Sequence, residues 1–286
     1  MKKIKHYTGD SYSFHKQVLA SKRDKDTQKE VKALDSFIQN KFAVYDDAFK
    51  RDVLSQMVPE KGLTNVQRES LLKLYTFRSK PFQHLFNTLT TNEHNCEDKL
   101  CPNCTIDTAS TFDHIVPQSL FPEYVDHPLN LLPCCAQCNS RKNKVWLDSV
   151  HSKRNFLNLY IDKIPDEQYL FVKLTICQDT LDVLFYLDNK YAIEAELYQR
   201  IQNHYTDLNL LQRYRENSYG KISILKSLIK SLKKNGEFSR QKIKKILLDA
   251  LQLEMKNKGN NHWEIVLQNE CISNNQVFDF LCDTNT

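Results

Sequence analysis

Glycine is scarce in this chain, 5 residues of 286, and proline stands at 8. Long Gly/Pro loops and an all-β architecture both need more turn formers than that, so the shortage favours helices. No run of 18 apolar residues occurs, which leaves nothing to span a membrane as a helix. The opening MKKIKHYTGDSYSFHKQ is basic but has no apolar stretch, so no secretory signal is expected. No G-x-x-x-x-G-K-[ST] is present, so any nucleotide dependence must come from a partner. What is there is ordinary for a globular protein: 41% hydrophobic, 26% charged, and enough length for one large domain or two modest ones. A net charge of +5 permits nucleic-acid binding without requiring it.

Cysteine is the exception to this plainness, with nine residues. Four fall in two Cys-x-x-Cys pairs, Cys101/Cys104 and Cys135/Cys138, while Cys96, Cys134, Cys177, Cys271 and Cys282 show no pairing pattern. The chain is too large to need disulfide staples, so a reducing, cytoplasmic compartment is expected.

Taken in order, residues 1 to about 27 read as polar and partly irregular. Apolar residues in steps of three and four from Lys29 to Met57 predict one long amphipathic helix, or two joined near Asn40. Pro59 and Gly62 break it, and Thr64 with Gln67 predicts a capping box opening the next helix. A short helix is expected around Phe82 to Leu89, and a further one from Trp146 to Ile164. YLFVKLTI (169–176) and LDVLFYLD (181–188), separated by CQDT, predict a β-hairpin. Helices return over 191–283: Tyr191 to Asn217, Lys221 to Lys234, then one capped by Ser239, and short segments after GNN at 259–261. Between Lys221 and Lys258 stand 11 Lys/Arg against 3 Asp/Glu, a solvated face or a phosphate-contacting one.

The chemistry gathers in residues 101–144. Two Cys-x-x-Cys knuckles complete a closed tetrahedral zinc shell, and a filled shell cannot activate water, so that metal is structural. The 30 residues between Cys104 and Cys135 leave room for a folded insert. Within it FDHIVP reads as a strand stopped by proline, with Asp113 and His114 on opposite faces. A histidine beside a carboxylate, near a helix opening at Asn139, suits metal-assisted hydrolysis. The imidazole takes a proton from water, and a hard cation stabilises charge developing on phosphate. Arg141, Lys142 and Lys144 place positive charge beside the phosphate path.

CPNC, DHIVPQS and PLNLLPCCAQCNSRK resemble the HNH endonucleases, the ββα-metal nucleases, in their zinc-bearing variant. DHIVPQS is also similar to the HNH domain of RNA-guided CRISPR nucleases. The resemblance implies His114 as general base, Asn130 as the residue that holds the loop and orients the base, and Asn139 at a position often held by His. It implies that Asp113 and Asn139 ligate one divalent cation, Mg²⁺ or Mn²⁺, and that DNA is the substrate. The flanks resemble bacterial nucleases of restriction and anti-phage defence, such as the nuclease subunit of Septu, which implies an SMC-like ATPase or another defence-system protein as partner.

The expectation is therefore a mainly α chain with a small α+β insert. A ββα-metal core over 96–165 stands between a helical N-terminal arm at 1–95 and a mainly helical region with a β-hairpin at 166–286. The competing reading is a zinc-stabilised nucleic-acid-binding module that does not cut.

Overall fold

The computed structural model of the chain describes residues 1–92, 95–150, 152–236 and 238–283. Contacts divide the chain once along its length, between Asp162 and Lys163, with Met1 grouped with the later unit. Among the described residues no helix is long and apolar enough to cross a membrane.

The unit Lys2–Asp162 opens with three helices: α1 (Ser11–Ala20), α2 (Lys25–Ala33) and α3 (Asp35–Lys50). The first is more ordered than its polar sequence suggested, because Asp10 caps it by accepting from the Ser13 N–H at 3.1 Å. The single long helix expected over 29–57 is broken at Leu34 rather than near Asn40, and it ends at Lys50. Asp24 accepts from the Asp26 and Thr27 N–H groups, so α2 starts earlier than its apolar pattern indicates. On α3 the residues Ile38, Phe42, Tyr45 and Phe49 form one buried stripe. The helices α4 (Asn65–Leu72) and α5 (Lys80–Leu89) follow, and Thr64 and Gln67 make both bonds of the expected capping box.

These helices pack directly on the small β structure. The strands β1 (Thr111–His114) and β2 (Leu131–Cys134) pair antiparallel, with Asp113 opposite Leu132 and His114 opposite Leu131. Phe86 meets Phe112 edge-on at 5.5 Å and Tyr45 meets Tyr124 at 5.0 Å, so the arm and the insert share one aromatic core. The helix α6 (Ala136–Lys142) follows β2 directly.

The helix expected from Trp146 to Ile164 is not formed. Short polar side chains there bind their own backbone and outcompete the helical pattern. Asp148 accepts from the N–H groups of Val150 and Lys153, Asn158 accepts from that of Tyr160, and Asp162 from that of Asn158. Arg154, buried, forks onto both oxygens of Asp162 at 3.1 and 2.8 Å and reaches Asp52.

The unit from Lys163 onward begins with the predicted hairpin, β3 (Leu170–Cys177) and β4 (Thr180–Leu187), in antiparallel register from Leu170↔Leu187 to Cys177↔Thr180. Leu170, Val172 and Leu174 with Leu181, Val183 and Phe185 form its buried face. The helices α7 (Ala195–Asp207) and α8 (Leu210–Gly236) are separated at Asn209, which takes a left-handed φ of 52°. The break falls inside one expected helix, and α8 then merges its second half with the next. The remaining helices are α9 (Arg240–Lys258), α10 (Trp263–Ser273) and α11 (Asn275–Asp283). Gly259 ends α9 at φ 82°, a conformation that suits a residue without a Cβ. Much of the basic excess over 221–258 is spent inside this unit. Lys221 and Lys258 reach Glu264, Arg240 reaches Asp279 and Asp283, Lys233 bonds the Cys282 carbonyl, and Lys244 bonds Asn275.

Candidate active site

The four knuckle cysteines converge. The sulfurs of Cys101, Cys104, Cys135 and Cys138 all lie within 4.8 Å of one another, and all four residues are buried. Tetrahedral zinc with bonds near 2.3 Å sets its sulfurs roughly 3.8 Å apart, and Cys104 and Cys135 stand at 3.9 Å. Backbone N–H groups point at three of the sulfurs: Cys135 N at Cys101, Ile106 N at Cys104 and Cys138 N at Cys135. Such donors favour thiolates, so the donor set fits a structural zinc. Crowding divides the protons unevenly among the thiols. Hydrogen bonding between Cys101 and Cys104 pushes the first up to about 12 and the second down to about 7. Cys134 sits beside the set, buried, with its sulfur accepting from the Asn103 side-chain amide at 3.3 Å.

The knuckle also starts α6. Cys135 is its N-cap, with the sulfur receiving the Cys138 N–H, so the helix begins at Ala136. Asn139, expected to open the helix, is its fourth residue and half-buried. Turned this way, α6 brings Asn139 to the same pocket as Asp113 and His114 from β1. That pocket has a volume of about 420 Å³. It is also lined by Tyr75, Gln118, Ser119, Asn143 and Lys144.

His114 is nearly enclosed, and the carbonyl of Val125 stands 2.9 Å from its Nε2. A carbonyl can only accept, so Nε2 carries the hydrogen and Nδ1 is left as the basic atom. Burial holds the imidazole down to about 4, so it is neutral at ordinary pH and able to take a proton. Tyr75 packs edge-to-face on the ring at 4.9 Å, while its hydroxyl receives the Phe112 N–H of β1.

Asn130 is fully buried and uses its whole amide to hold the loop between β1 and β2. Its Oδ1 accepts from the Val116 N–H at 2.8 Å and the Tyr45 hydroxyl at 3.1 Å. Its Nδ2 donates to the carbonyls of Val116 and Tyr124 at 3.2 and 3.0 Å. It does not touch the His114 ring; the loop it closes delivers the Val125 carbonyl to that ring.

Asp113 is buried, and Lys142 donates to its Oδ1 at 3.1 Å and to the His114 carbonyl at 2.7 Å. Burial raises the Asp113 carboxyl, with the Lys142 ammonium opposing it. Lys142 was expected beside the phosphate path; it is instead inside, because it falls three residues after Asn139 on the inward side of α6. Arg141 and Lys144 are exposed, and of these Lys144 reaches the pocket rim. Asn143, left-handed at φ 48°, ends the helix at that rim. Tyr75, Gln118 and Ser119 were not expected at the site. Gln118 and Ser119 close the DHIVPQS stretch and could have been found, whereas nothing in sequence links Tyr75 to it.

Residues 101–144 match the family model of the HNH endonucleases. The HNH match spans the cysteine knuckles, the Asp-His strand, Asn130 and α6, and leaves the flanking helices outside it. A wider similarity joins the chain to protein ea31 of Escherichia phage lambda, 25% identical over 232 residues, which cover 75% of each chain. No solved structure matches.

Proposed function

We propose that the chain is a metal-dependent endonuclease that hydrolyses DNA phosphodiester bonds in the pocket of Asp113, His114 and Asn139. One observation carries the reading: a buried histidine whose Nε2 is committed to a carbonyl keeps Nδ1 as its basic atom, and the pocket it lines is shared with the carboxylate of Asp113 and the amide of Asn139. Nδ1 takes a proton from water as the water oxygen bonds phosphorus, one P–O ester bond breaks, and the departing oxygen takes a proton from solvent to leave as the alcohol. The oxygen donors of Asp113 and Asn139 form a hard set that would suit Mg²⁺ or Mn²⁺. A divalent cation held there would stabilise the negative charge developing on the phosphate. Lys144 at the rim and Arg141 outside it favour the DNA backbone.

The test is cleavage of plasmid DNA by the whole protein with Mg²⁺ or Mn²⁺. His114→Ala should cut about 10²–10⁴-fold more slowly while retaining its zinc and its fold. Equal cutting by the two proteins, or no metal-dependent cutting by the wild type, would sink this reading.

A place in anti-phage defence beside an SMC-like ATPase rests on the likeness of the flanking helices to defence nucleases. The similar chain in a phage supports instead a phage-borne nuclease, and the genes next to this one decide between the two settings.

A further inference from the structure

Three consecutive residues, Val125, Asp126 and His127, face three different parts of the unit Lys2–Asp162. The Val125 carbonyl receives Nε2–H of His114. The Asp126 carboxylate receives Nδ1–H of His15, from α1, at 2.8 Å, and each side chain is only 1% exposed. His127 receives the Leu129 N–H on Nδ1 and turns Nε2 toward the Asp46 carboxylate of α3, at 3.3 Å. Phe42 fills the space between the two outer histidines, 5.4 Å from the His15 ring and 4.4 Å from that of His127. Asn130 secures the loop up to the Tyr124 carbonyl and stops there. The next peptide, which carries the Val125 carbonyl, lies in a turn closed by the His127 N–H on the Tyr124 carbonyl at 3.2 Å, and the Asp126 side chain ties that turn to a residue 111 positions away.

We propose that His15 and Asp126 are positioning residues for the nuclease reaction: their buried pair fixes the Val125 carbonyl, which holds His114 with Nδ1 free to accept a proton. The proposal rests on the nuclease reading above for its consequence in rate, but its structural content concerns the ring of His114 alone. It gives the helical arm, which contributes no group to the pocket through α1, a share in the chemistry. The chain of contacts is His15 to Asp126, Asp126 to the adjoining peptide, and that peptide's carbonyl to His114. If the carbonyl turns away, the imidazole loses the bond that selects its tautomer, and the Nδ1-protonated form cannot serve as the base.

The test uses the full-length protein and two variants at one position. His15→Leu removes the donor but keeps an apolar body of similar size; in His15→Asn the amide nitrogen overlies the place of Nδ1 and restores a donor. Because misplacement of a catalytic group by about an ångström costs on the order of 10²-fold, His15→Leu should lower kcat by roughly that factor. KM and bound zinc should stay near wild type, and His15→Asn should recover most of the rate. In parallel, ¹⁵N and ¹³C spectra of histidine-labelled protein, with the ring assigned by loss of its signal in His114→Asn, read the tautomer directly. The wild type should show a neutral, Nε2-protonated ring, and folded His15→Leu should show loss of that single form. This second arm holds even if the wild type proves not to cut. A folded His15→Leu with wild-type kcat, or with the His114 tautomer unchanged, overturns the positioning role.

Discussion

At the scale of single residues, the least expected group is Lys142. Its ammonium is buried against an almost fully enclosed carboxylate, so it is the counter-ion of Asp113 rather than a handle for DNA. Removing one partner of such a pair strands the other charge. Lys142→Met should therefore destabilise the cation-free protein by about 3–5 kcal/mol in urea melts at neutral pH. Mn²⁺ should narrow that loss, since a cation beside Asp113 supplies the missing charge; a variant as stable as wild type without cation would contradict this. His15 has a different signature. Burial lowers its affinity for protons, but the Asp126 charge and hydrogen bond, with Asp35 behind them, prevail and raise it above the ordinary 6.5. A raised folded value means that stabilisation is complete below the unfolded value and fades as pH climbs through the folded one. The Tm gap between wild type and His15→Leu should thus be wider at about pH 5.5 than at about pH 9. A gap that widens with pH would show that His15 is held neutral. Neither role was legible in sequence, because Asp113 and Lys142 are 29 residues apart and His15 and Asp126 are 111 apart. By contrast, the adjacent Asp113 and His114 and the regular spacing of the cysteines are local patterns, and local patterns can be read before folding.

Among elements, helices announced by a cap or a clean apolar stripe were legible, as the Thr64 capping box and the Ile38–Phe49 stripe demonstrate. The strands of the hairpin were legible too, because both runs are rich in β-branched and aromatic residues and flank a short polar loop. Trp146 to Ile164 was misread for a physical reason: Phe156, Leu157, Tyr160 and Ile161 carry helical spacing, but Asp148, Asn158 and Asp162 offer the backbone better local partners. The start of α6 was displaced because a cysteine caps it, and Cys135 is both that N-cap and one of the four cysteines placed to hold a metal ion. Substitution separates the two roles. Cys135→Ser keeps a capping oxygen but loses the thiolate, whereas Cys101→Ser loses the Cys101 thiolate and leaves the Cys135 sulfur to receive the Cys138 N–H. If the metal dominates, both variants should lose zinc by elemental analysis and lose soluble, folded protein to a similar extent. A Cys135→Ser protein that folds normally without zinc would leave capping as the only function of that residue.

For the whole molecule, the division between Asp162 and Lys163 decides what depends on the metal. Every candidate site residue, both strands of the small sheet and the five helices of the arm lie on one side of it. The later unit has its own core, built from the hairpin and α7 to α11 around Tyr169, Tyr205, Tyr214 and Trp263. The four cysteines placed to hold a metal all sit in the first unit, so zinc bound there would contribute its folding free energy to that unit directly. A strong zinc chelator should therefore lower the unfolding temperature of one calorimetric transition and leave a second one in place. Hydrogen exchange under the same conditions should show lost protection in β1, β2 and α6, with protection retained in β3, β4 and α10. Loss of protection across both units together would mean that the later unit cannot hold its fold without the first. In that case the zinc would govern the stability of the whole chain rather than that of the unit that holds its ligands.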